Sequence, residues 1–432
     1  MALLLRNARF IDPQVGLDEV CDMLIRDGRI VEVGHDLDMP KGVERDLSGK
    51  VVVPGLVDIH VHLRDPGYEY KEDIASGTRA AAHGGFTDIC CMANTRPVVD
   101  DGAIVSYIVQ RAKEVGKCRV HVAGACTKGL KGETLAEMGD MVARGAVAFT
   151  DDGRGVQGAG MMRRAMDYAA QFDRVVMSHC QDEDIVGAGQ VNEGVASTRL
   201  GLQGWPAAGE EIQIQRDIEI ARLTGCPLHI QHLTTAHGID IVRRAKAEGI
   251  AVTCEVTPHH MFLTEDDIGD DYNTNLKVNP PLRTKEDAQA LIDAVADGTV
   301  DCIVTDHAPH ADFEKDREFE EAPFGMTGIE TSLGLVLTHL VRPGIISWNR
   351  MIELMAVNPR AILRLEPVRF EPGSVADLTV IDPDVDWTVS CNDFLSKANN
   401  SGFIGAELTG RATDVYVAGY STMEDGAIIE SH

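Results

Sequence analysis

Two histidines separated by one residue, His60 and His62, stand at the end of an apolar segment, residues 57–63. In an extended strand, side chains two positions apart point to the same face, so both imidazoles can converge on one metal ion. The pair alone is a weak signal, because a chain with 15 histidines can contain this spacing by chance. A metal site therefore requires the same chemistry to recur elsewhere in the chain.

Imidazoles and carboxylates also follow four other apolar segments, at Asp151, Asp152, His179, His232 and Asp306. In a barrel of parallel strands, the carboxyl ends of all strands form one mouth, which is where active sites of this fold lie. Independent core histidines would have no reason to share that edge. We therefore predict a metal site built from His60, His62, Asp152, His179, His232 and Asp306.

Four imidazoles with two carboxylates favour Zn²⁺ or a similar ion over Ca²⁺ and Mg²⁺, which prefer oxygen ligands alone. Two ions would need a bridging carboxylate. Asp152 is the candidate because it lies centrally among the ligand strands, whereas Asp151 is expected to point away from the mouth. Zinc lowers the pKa of a bound water to about 7, and a neighbouring carboxylate can move the proton. The sequence leaves open whether one or two ions bind.

Eight short apolar segments alternate with helical patterns in the middle of the chain. The predicted strands are residues 57–63, 87–92, 119–123, 146–149, 175–177, 227–230, 251–254 and 302–304. The predicted helices are residues 72–83, 135–144, 161–170, 210–223, 238–247, 285–296, 329–341 and 349–363. Apolar strands that are each followed by a helix indicate parallel pairing buried on both faces, and eight such units close a (β/α)₈ TIM barrel.

Both ends of the chain have β character instead, with predicted strands at residues 3–11, 23–25, 29–33, 376–381, 387–390 and 414–417. We predict a composite β-sandwich domain of residues 1–53 and 366–432 beside a barrel domain of residues 54–365. Three connections are long, at residues 181–209, 257–284 and 307–327. Because long loops in compact domains are often functional, we predict that the charged third connection is a mobile lid.

The charge balance of the chain excludes several functions. With 68 acidic and 40 basic residues, the net charge is −28, which disfavours binding to nucleic-acid phosphates and anionic lipid surfaces. No apolar run is long enough to span a bilayer and the N-terminal apolar stretch is too short for a signal peptide, so we expect a cytoplasmic protein. The ten cysteines contain no C-x-x-C pair and are expected to be reduced and buried.

Several short motifs run along the whole chain. They are H-V-H-L-R-D-P-G (60–67), M-A-N-T-R-P (92–97), F-T-D-D-G (149–153), S-H-C (178–180), H-L (232–233), K-V-N-P-P-L-R (277–283), T-D-H-A-P-H (305–310) and F-G-M-T-G-I-E-T (324–331). Together they resemble the motifs of the dihydroorotases of the longer bacterial type, class I, in the metal-dependent amidohydrolase superfamily. The resemblance extends over essentially all 432 residues.

The resemblance implies a role for each candidate residue. It implies that His60 and His62 bind the more buried ion, that His179 and His232 bind the second, and that Asp152 bridges them. Asp306 would bind metal and act as general acid and base. The residues implied to contact substrate are His62, Arg64, Asn94, Asn279, His310, Phe324 and Gly325. The Arg64 guanidinium suits bidentate recognition of a carboxylate, in line with this assignment.

The activity implied by the resemblance is reversible, zinc-dependent hydrolysis of (S)-dihydroorotate to N-carbamoyl-L-aspartate, the third step of pyrimidine synthesis. A homodimer is the default expectation for such a barrel. Two positions depart from the family pattern. Residue 93 is Ala where Pro is usual, and residue 181 is Gln where Glu is common. Neither departure removes a predicted ligand.

Two alternatives differ from this interpretation. Hydantoinases and allantoinases resemble the same fold but bridge their metals with a carboxylated lysine on the fourth strand, and residues 145–153 contain no lysine. The second alternative is a subunit that requires or scaffolds aspartate transcarbamoylase. The complete set of predicted ligands disfavours an inert scaffold but leaves dependence on that partner open.

Overall fold

The computed structural model describes residues 2–38 and 41–430. Eight parallel strands form the barrel: Leu56–Val61, Phe86–Cys91, Arg119–Gly124, Ala146–Phe149, Val175–Ser178, Leu228–Ile230, Val252–Val256 and Cys302–Ile303. The first strand meets the segment after the eighth, where the His62 amide donates to the His307 carbonyl at 2.8 Å. All eight strands lie at the predicted places, so the predicted barrel fold is confirmed.

Helices cover the outside of the barrel. The longer ones are Ile74–His83, Gly102–Val115, Met138–Ala143, Ala159–Ala170, Ala208–Thr224, Ala236–Ala247 and Lys285–Asp297. Each of the last two predicted helices contains a π-helical turn. The first consists of the α-helix Ser332–Val336 and the π-helical turn Leu337–Val341. The second consists of the α-helices Trp348–Ile352 and Asn358–Ile362 with the π-helical turn Glu353–Val357 between them. The helix Gly102–Val115 was not predicted. Its start is marked by Asp101, whose side chain accepts from the amides of Ala103 and Ile104.

Both ends of the chain build one nine-stranded sheet. Its strands are Ala2–Asp12, Leu17–Arg26, Arg29–Gly34, Gly42–Asp46, Val51–Pro54, Leu378–Thr388, Glu407–Val417, Tyr420–Glu424 and Ala427–Ile428. Antiparallel pairing of Val51–Pro54 with Leu378–Thr388 joins the N-terminal strands to the C-terminal strands. The domain boundaries, at residues 53 and 366, stay a prediction, and residues 1, 39–40 and 431–432 lie outside the described part.

The three long connections contain short elements: Glu183–Val186, Val191–Asn192, Val195–Leu200 and Gly204–Trp205 in the first, Pro258–Phe262, Glu265–Ile268 and Thr274–Leu276 in the second, and Asp312–Lys315 in the third. A short 3₁₀ turn, Lys128–Leu130, follows the third barrel strand. Two buried lysines tie the third connection to the second. Lys315 Nζ donates to the Thr274 carbonyl at 2.9 Å, and Lys277 Nζ donates to the Phe319 carbonyl at 2.7 Å. The movement of this lid stays a prediction.

Two simpler expectations can be compared with the structure. All ten cysteines are free and nine are buried. Burial raises the pKa of the Cys180 thiol far above its ordinary value, because the thiolate would lose its hydration. Within the part of the chain that the structure describes, no helix has both the length and the apolarity that crossing a bilayer requires.

A buried cluster of charges links the bottom of the barrel to the terminal sheet. Asp88, on the second barrel strand, accepts from the Arg360 guanidinium, and Asp377, next to a sheet strand, accepts from Arg119. Asp377 also accepts from the Ala418 amide at 2.7 Å. Asp88 and Asp377 are each only 1% exposed, so their charges depend on these partners rather than on water.

We expect Asp88→Asn to lower the free energy of unfolding by about 3 to 5 kcal/mol at pH 7, because it removes the nearer carboxylate from the buried Arg360, which keeps only Asp377 at 3.8 Å. Burial raises the pKa of Asp88, but Arg360, His121 and Arg119 together outweigh this effect and lower that pKa below its ordinary value of 3.8. The stabilisation is therefore fully present above pH 3.8 and is lost as the pH falls further. Urea unfolding of both proteins measures the difference.

Asp18→Asn is the matched control, because Asp18 pairs with Arg9 and both side chains are 42% exposed. We expect that variant to lose less than about 1 kcal/mol. Equal losses in the two variants would contradict a structural role for the buried cluster.

Candidate metal centre and substrate pocket

The six predicted metal ligands converge at the barrel mouth, and all six are buried. Asp152 is at their centre. Its carboxylate oxygens lie 3.3 Å from His60 Nε2, 3.5 Å from His62 Nε2, 3.4 Å from His179 Nδ1 and 3.9 Å from His232 Nε2. Asp306 Oδ1 lies on one side of this group, 3.0 Å from His62 Nε2. One carboxylate thus faces four imidazoles, which is the position that a bridging ligand would occupy.

The ends of the barrel strands place these side chains. His60 lies within the first strand and His62 just after it, while His179 directly follows the fifth strand. His232 and Asp306 have positive φ angles of 29° and 45°, which are unusual for residues with a side chain. Such strained backbone is maintained only where the surrounding structure enforces it, and it is often found at functional sites. Here it turns both side chains towards the centre of the mouth.

Hydrogen bonds at the outer nitrogens orient three of the four imidazoles. His60 Nδ1 lies 2.5 Å from Glu255 Oε1, and His62 Nδ1 lies 2.9 Å from Asn94 Oδ1. His179 Nε2 lies 2.9 Å from the side-chain oxygen of Gln181. Because each outer nitrogen faces an oxygen that can only accept, it must carry the proton. The inner nitrogen of each ring then faces the central group, where His62 Nε2 also lies 3.0 Å from Asp306 Oδ1 and His179 Nδ1 lies 2.8 Å from His232 Nε2.

This donor set fits a divalent metal ion. His60 Nε2, the ring nitrogen nearest to Asp152, is buried and has no hydrogen-bond partner among the described residues. Burial raises the pKa of Asp152, but the facing rings of His60, His179 and His62 together outweigh it and lower that pKa well below the ordinary value. Ligand atoms of His60, His62 and Asp306, and of His60, Asp152 and His232, lie within 4.8 Å of one another in each group. Lone pairs and ionised carboxylates therefore converge where a cation would balance them.

Glu255 is a functional residue that the sequence analysis missed. It lies on the seventh strand and is fully buried. Its Oε1 accepts from the His60 ring and, at 3.1 Å, from the His232 amide, while its Oε2 lies 2.9 Å from His229 Nε2. One carboxylate thus positions two metal ligands. The available signal was a lone carboxylate in an otherwise uncharged strand, since a buried charge needs partners.

Arg64 and His310 form the next part of the pocket. Arg64 has a φ angle of 60°, and its guanidinium lies 3.3 Å from His310 Nε2. Within residues 2–38 and 41–430, no carboxylate forms an ion pair with Arg64. His310 Nε2 donates to the Phe324 carbonyl at 2.8 Å. Burial, and then the charge of Arg64, lower the pKa of His310, so this ring is neutral. The half-buried guanidinium is therefore available to an anionic ligand.

Asn94 contacts the metal ligands as well as facing the pocket. Its oxygen accepts from His62, and its nitrogen donates to Asp152 Oδ2 at 3.1 Å. The amide therefore connects the imidazole at one candidate ion position to the central carboxylate. Its predicted contact with a substrate carboxylate stays a prediction.

The remaining predicted substrate residues contact residues of the same site. Asn279 Nδ2 donates to Gln181 Oε1 at 3.1 Å, and Asn279 Oδ1 is buried and has no hydrogen-bond partner in the part of the chain that the structure describes. Gly325 has a φ angle of 127°, and a Cβ atom there would lie 2.7 Å from the Ala308 Cβ atom. No larger residue fits this position, which keeps the Phe324–Gly325 backbone close to His310. The structure thus brings all the predicted site residues together.

Asp151 points away from the mouth, as expected from the sequence, and has a structural role. Its carboxylate accepts from the amides of Cys126 and Thr127 at 2.8 and 3.0 Å, away from the central group. The fourth strand, Ala146–Phe149, carries no lysine. This strand therefore does not supply the carboxylated lysine that would bridge the metals in a hydantoinase.

The barrel and the ligands at its strand ends define a metal-dependent amidohydrolase. Comparison with solved structures agrees with this class. The L-hydantoinase (dihydropyrimidinase) from Arthrobacter aurescens superposes with a TM-score of 0.90 at 27% identity, over 99% of this chain and 97% of that one. Dihydropyrimidinase from Brevibacillus agri shares the fold with a TM-score of 0.87 at 20% identity, over 99% of this chain and 96% of that one.

Sequence comparisons narrow the class to one family. Residues 49–237 match the family model described as dihydro-orotase-like. Dihydroorotase from Geobacter metallireducens is 49% identical over 97% of this chain and 99% of its own length. Dihydroorotase from Acetivibrio thermocellus is 45% identical over 99% of this chain and 98% of its own length. The chain belongs to the dihydroorotase family.

We expect Glu255→Gln to weaken metal binding by about 10- to 100-fold, because it removes the carboxylate that orients His60. Zn²⁺ titrated into the metal-stripped protein measures the affinity directly, without relying on turnover. Glu219→Gln is the control, since Glu219 is 55% exposed on an outer helix. Equal affinities of the Glu255 variant and the wild type would show that His60 is positioned by other contacts.

Proposed function

We propose that the chain catalyses the dihydroorotase reaction, the reversible hydrolysis of (S)-dihydroorotate to N-carbamoyl-L-aspartate in pyrimidine biosynthesis, with two Zn²⁺ ions at the barrel mouth. The observation that supports two ions is the position of Asp152, 3.3 to 3.9 Å from a ring nitrogen of each of the four histidines. A single carboxylate placed between two pairs of imidazoles is suited to bridge two cations.

In this proposal His60, His62 and Asp306 hold one ion, and His179 and His232 hold the other. When bound, the ions would lower the pKa of the attacking water and polarise the ring carbonyl. The protein contributes the fixed orientation of the ligands. Three of the imidazoles are held by hydrogen bonds from different segments, so little reorganisation is needed when the substrate arrives.

Asp306 is the proposed general acid and base. Burial raises the pKa of Asp306, but the charges of His60 and His62 outweigh this effect and lower that pKa below its ordinary value. The carboxylate is therefore ionised and can accept the proton of the attacking water, then deliver it to the departing ring nitrogen. In ring closure it would remove a proton from the ureido nitrogen. The positive φ angle of Asp306 directs its side chain to this position.

Arg64 is proposed to bind the substrate carboxylate, with His310 and Asn94 beside it. A guanidinium presents two parallel N–H groups to a carboxylate, which orients the ring as well as holding it. Since Arg64 forms no ion pair with a described carboxylate, an arriving anion need not displace one. Asn279 and the Phe324–Gly325 backbone would contact the ring.

The proposed partners and location extend beyond these observations. We propose that the protein is cytoplasmic and that it forms a homodimer. The alternative partner is aspartate transcarbamoylase. The Asp152 position and the absence of a lysine on the fourth strand favour a dihydroorotase over a hydantoinase-like enzyme. Size-exclusion chromatography of the chain, alone and mixed with aspartate transcarbamoylase, tests both associations.

We expect Asp306→Asn to lower kcat for dihydroorotate by about 10²- to 10⁴-fold, since it removes the group that transfers the proton. Zinc content measured on the same sample separates this effect from loss of metal. Asp312→Asn, at an exposed position of the third connection, should leave kcat unchanged. Full activity of the zinc-loaded Asp306 variant would contradict its role, and an inactive zinc-loaded wild type would contradict the proposed function.

We expect Arg64→Ala to cost about 2 to 5 kcal/mol of transition-state stabilisation, because the substrate carboxylate would be left without its charged partner. The ratio of kcat/KM values for dihydroorotate gives this energy. Arg111→Ala, which truncates a 43% exposed helix arginine, is the control. If kcat/KM were the same in the Arg64 variant and in the wild type, the carboxylate would have to bind elsewhere.

A further inference from the structure

Gln181 connects the candidate metal centre to the substrate pocket. Its side-chain oxygen lies 2.9 Å from His179 Nε2 and 3.1 Å from Asn279 Nδ2. We propose that Gln181 is a positioning residue that fixes the Asn279 amide with its oxygen towards the substrate, so that the pocket selects a ring with an N–H group at that place. This inference rests on the proposed function, because it names what Asn279 recognises.

The hydrogen bonds of Gln181 relate the orientations of three side chains. His179 Nε2 donates to Gln181 Oε1 at 2.9 Å, while His179 Nδ1 lies on the side of the ligand cluster, 2.8 Å from His232 Nε2 and 3.4 Å from Asp152. The Gln181 atom that faces Nε2 must then be the oxygen. Because the same oxygen also contacts Asn279, the Asn279 atom facing it must be the nitrogen, which is a donor. Asn279 Oδ1 is left pointing elsewhere.

Asn279 Oδ1 is buried and has no hydrogen-bond partner among the described residues. Burying an amide oxygen without a hydrogen-bond partner costs free energy, and a ligand that donates a hydrogen bond to it removes this cost. Dihydroorotate has N–H groups on its ring. A ring that presents an alkylated nitrogen at the same place would leave the oxygen unpaired, and such sites discriminate strongly.

The backbone around Gln181 is itself held in place. Gln157 Nε2 donates to the Gln181 carbonyl at 2.8 Å and to the Arg154 carbonyl at 2.7 Å. The Oε1 atom of Gln157 accepts from the Glu183 amide at 3.0 Å. The segment after the fifth strand is therefore anchored at Gln181 and at Glu183. A glutamate at position 181 would also present an oxygen that accepts from both donors, so the bridge needs an oxygen there rather than a charge.

The first test compares Gln181→Met with Gln181→Glu at saturating Zn²⁺. Methionine has a similar length but no comparable acceptor, so we expect it to raise KM for dihydroorotate about tenfold with a smaller change in kcat. Glutamate should keep KM within about threefold of the wild type, because it keeps the acceptor. Gln110→Met, on an exposed helix face, is the control. A Gln181→Met variant with wild-type KM, or a Gln181→Glu variant as impaired as Gln181→Met, would overturn the proposal.

The second test is a double-mutant cycle with Asn279→Ala. If Gln181 acts on the substrate through Asn279, Gln181→Met should raise KM no further in the Asn279→Ala background. Additive effects would overturn the proposal while leaving the proposed function intact, provided that the wild type turns over dihydroorotate. An inactive zinc-loaded wild type would instead remove the proposed function itself.

The third test does not depend on turnover. Zn²⁺ titration of the metal-stripped proteins should show weaker binding in Gln181→Met, through His179, and unchanged binding in Asn279→Ala. Competition binding measures the affinities for dihydroorotates methylated at each ring nitrogen. The wild type should bind one of them much more weakly than dihydroorotate, and this difference in affinity should be smaller in both variants. If both variants discriminate as strongly as the wild type, Asn279 Oδ1 does not recognise the ring N–H group.

Discussion

The site depends on one electrostatic constraint, the burial of the Asp152 carboxylate among the ring nitrogens of four histidines. A buried carboxylate is costly unless positive charge balances it. The His60 ring shows the effect. Burial lowers the pKa of His60, yet the carboxylates of Glu255 and Asp152 outweigh it and raise that pKa well above the ordinary value. The centre therefore attracts positive charge, and a divalent ion satisfies it better than protons do.

The rest of the mouth maintains the directions of these ligands. Glu255 comes from the seventh strand, Asn94 from the segment after the second and Gln181 from the segment after the fifth. Each fixes the outer nitrogen of a different imidazole, so three separate parts of the barrel set the geometry of one centre. A closed barrel is well suited to this task because its strand ends are rigid relative to one another, whereas a single loop could not fix three directions at once.

Much of this arrangement could be predicted from the sequence. The alternation of apolar segments with helical patterns located all eight barrel strands, and the recurrence of histidines after those strands placed the ligands at one edge. Glu255 was not found because a single buried carboxylate has no spacing pattern, and its partner His60 is distant in the chain. The helix Gly102–Val115 was overlooked although Val105, Ile108 and Ala112 recur at helical spacing after the capping residue Asp101, whereas the short elements in the long connections are set by tertiary contacts.

A net charge of −28 is compatible with the binding of an anionic substrate. The acidic surface residues are distant from the substrate, whereas basic groups lie close to it. Surface charges further than about 8 Å from the mouth are largely screened at physiological salt. Inside the mouth, Arg64 lies beside His310, and Lys71 Nζ lies 3.3 Å from the other nitrogen of that ring. The buried Lys277 and Lys315 add positive charge nearby, although burial lowers the pKa of Lys277 to about 8 and that of Lys315 to about 7. The potential that the substrate carboxylate meets is thus set by these nearby basic groups, of which Lys71 is also paired with Glu314, rather than by the net charge of the surface.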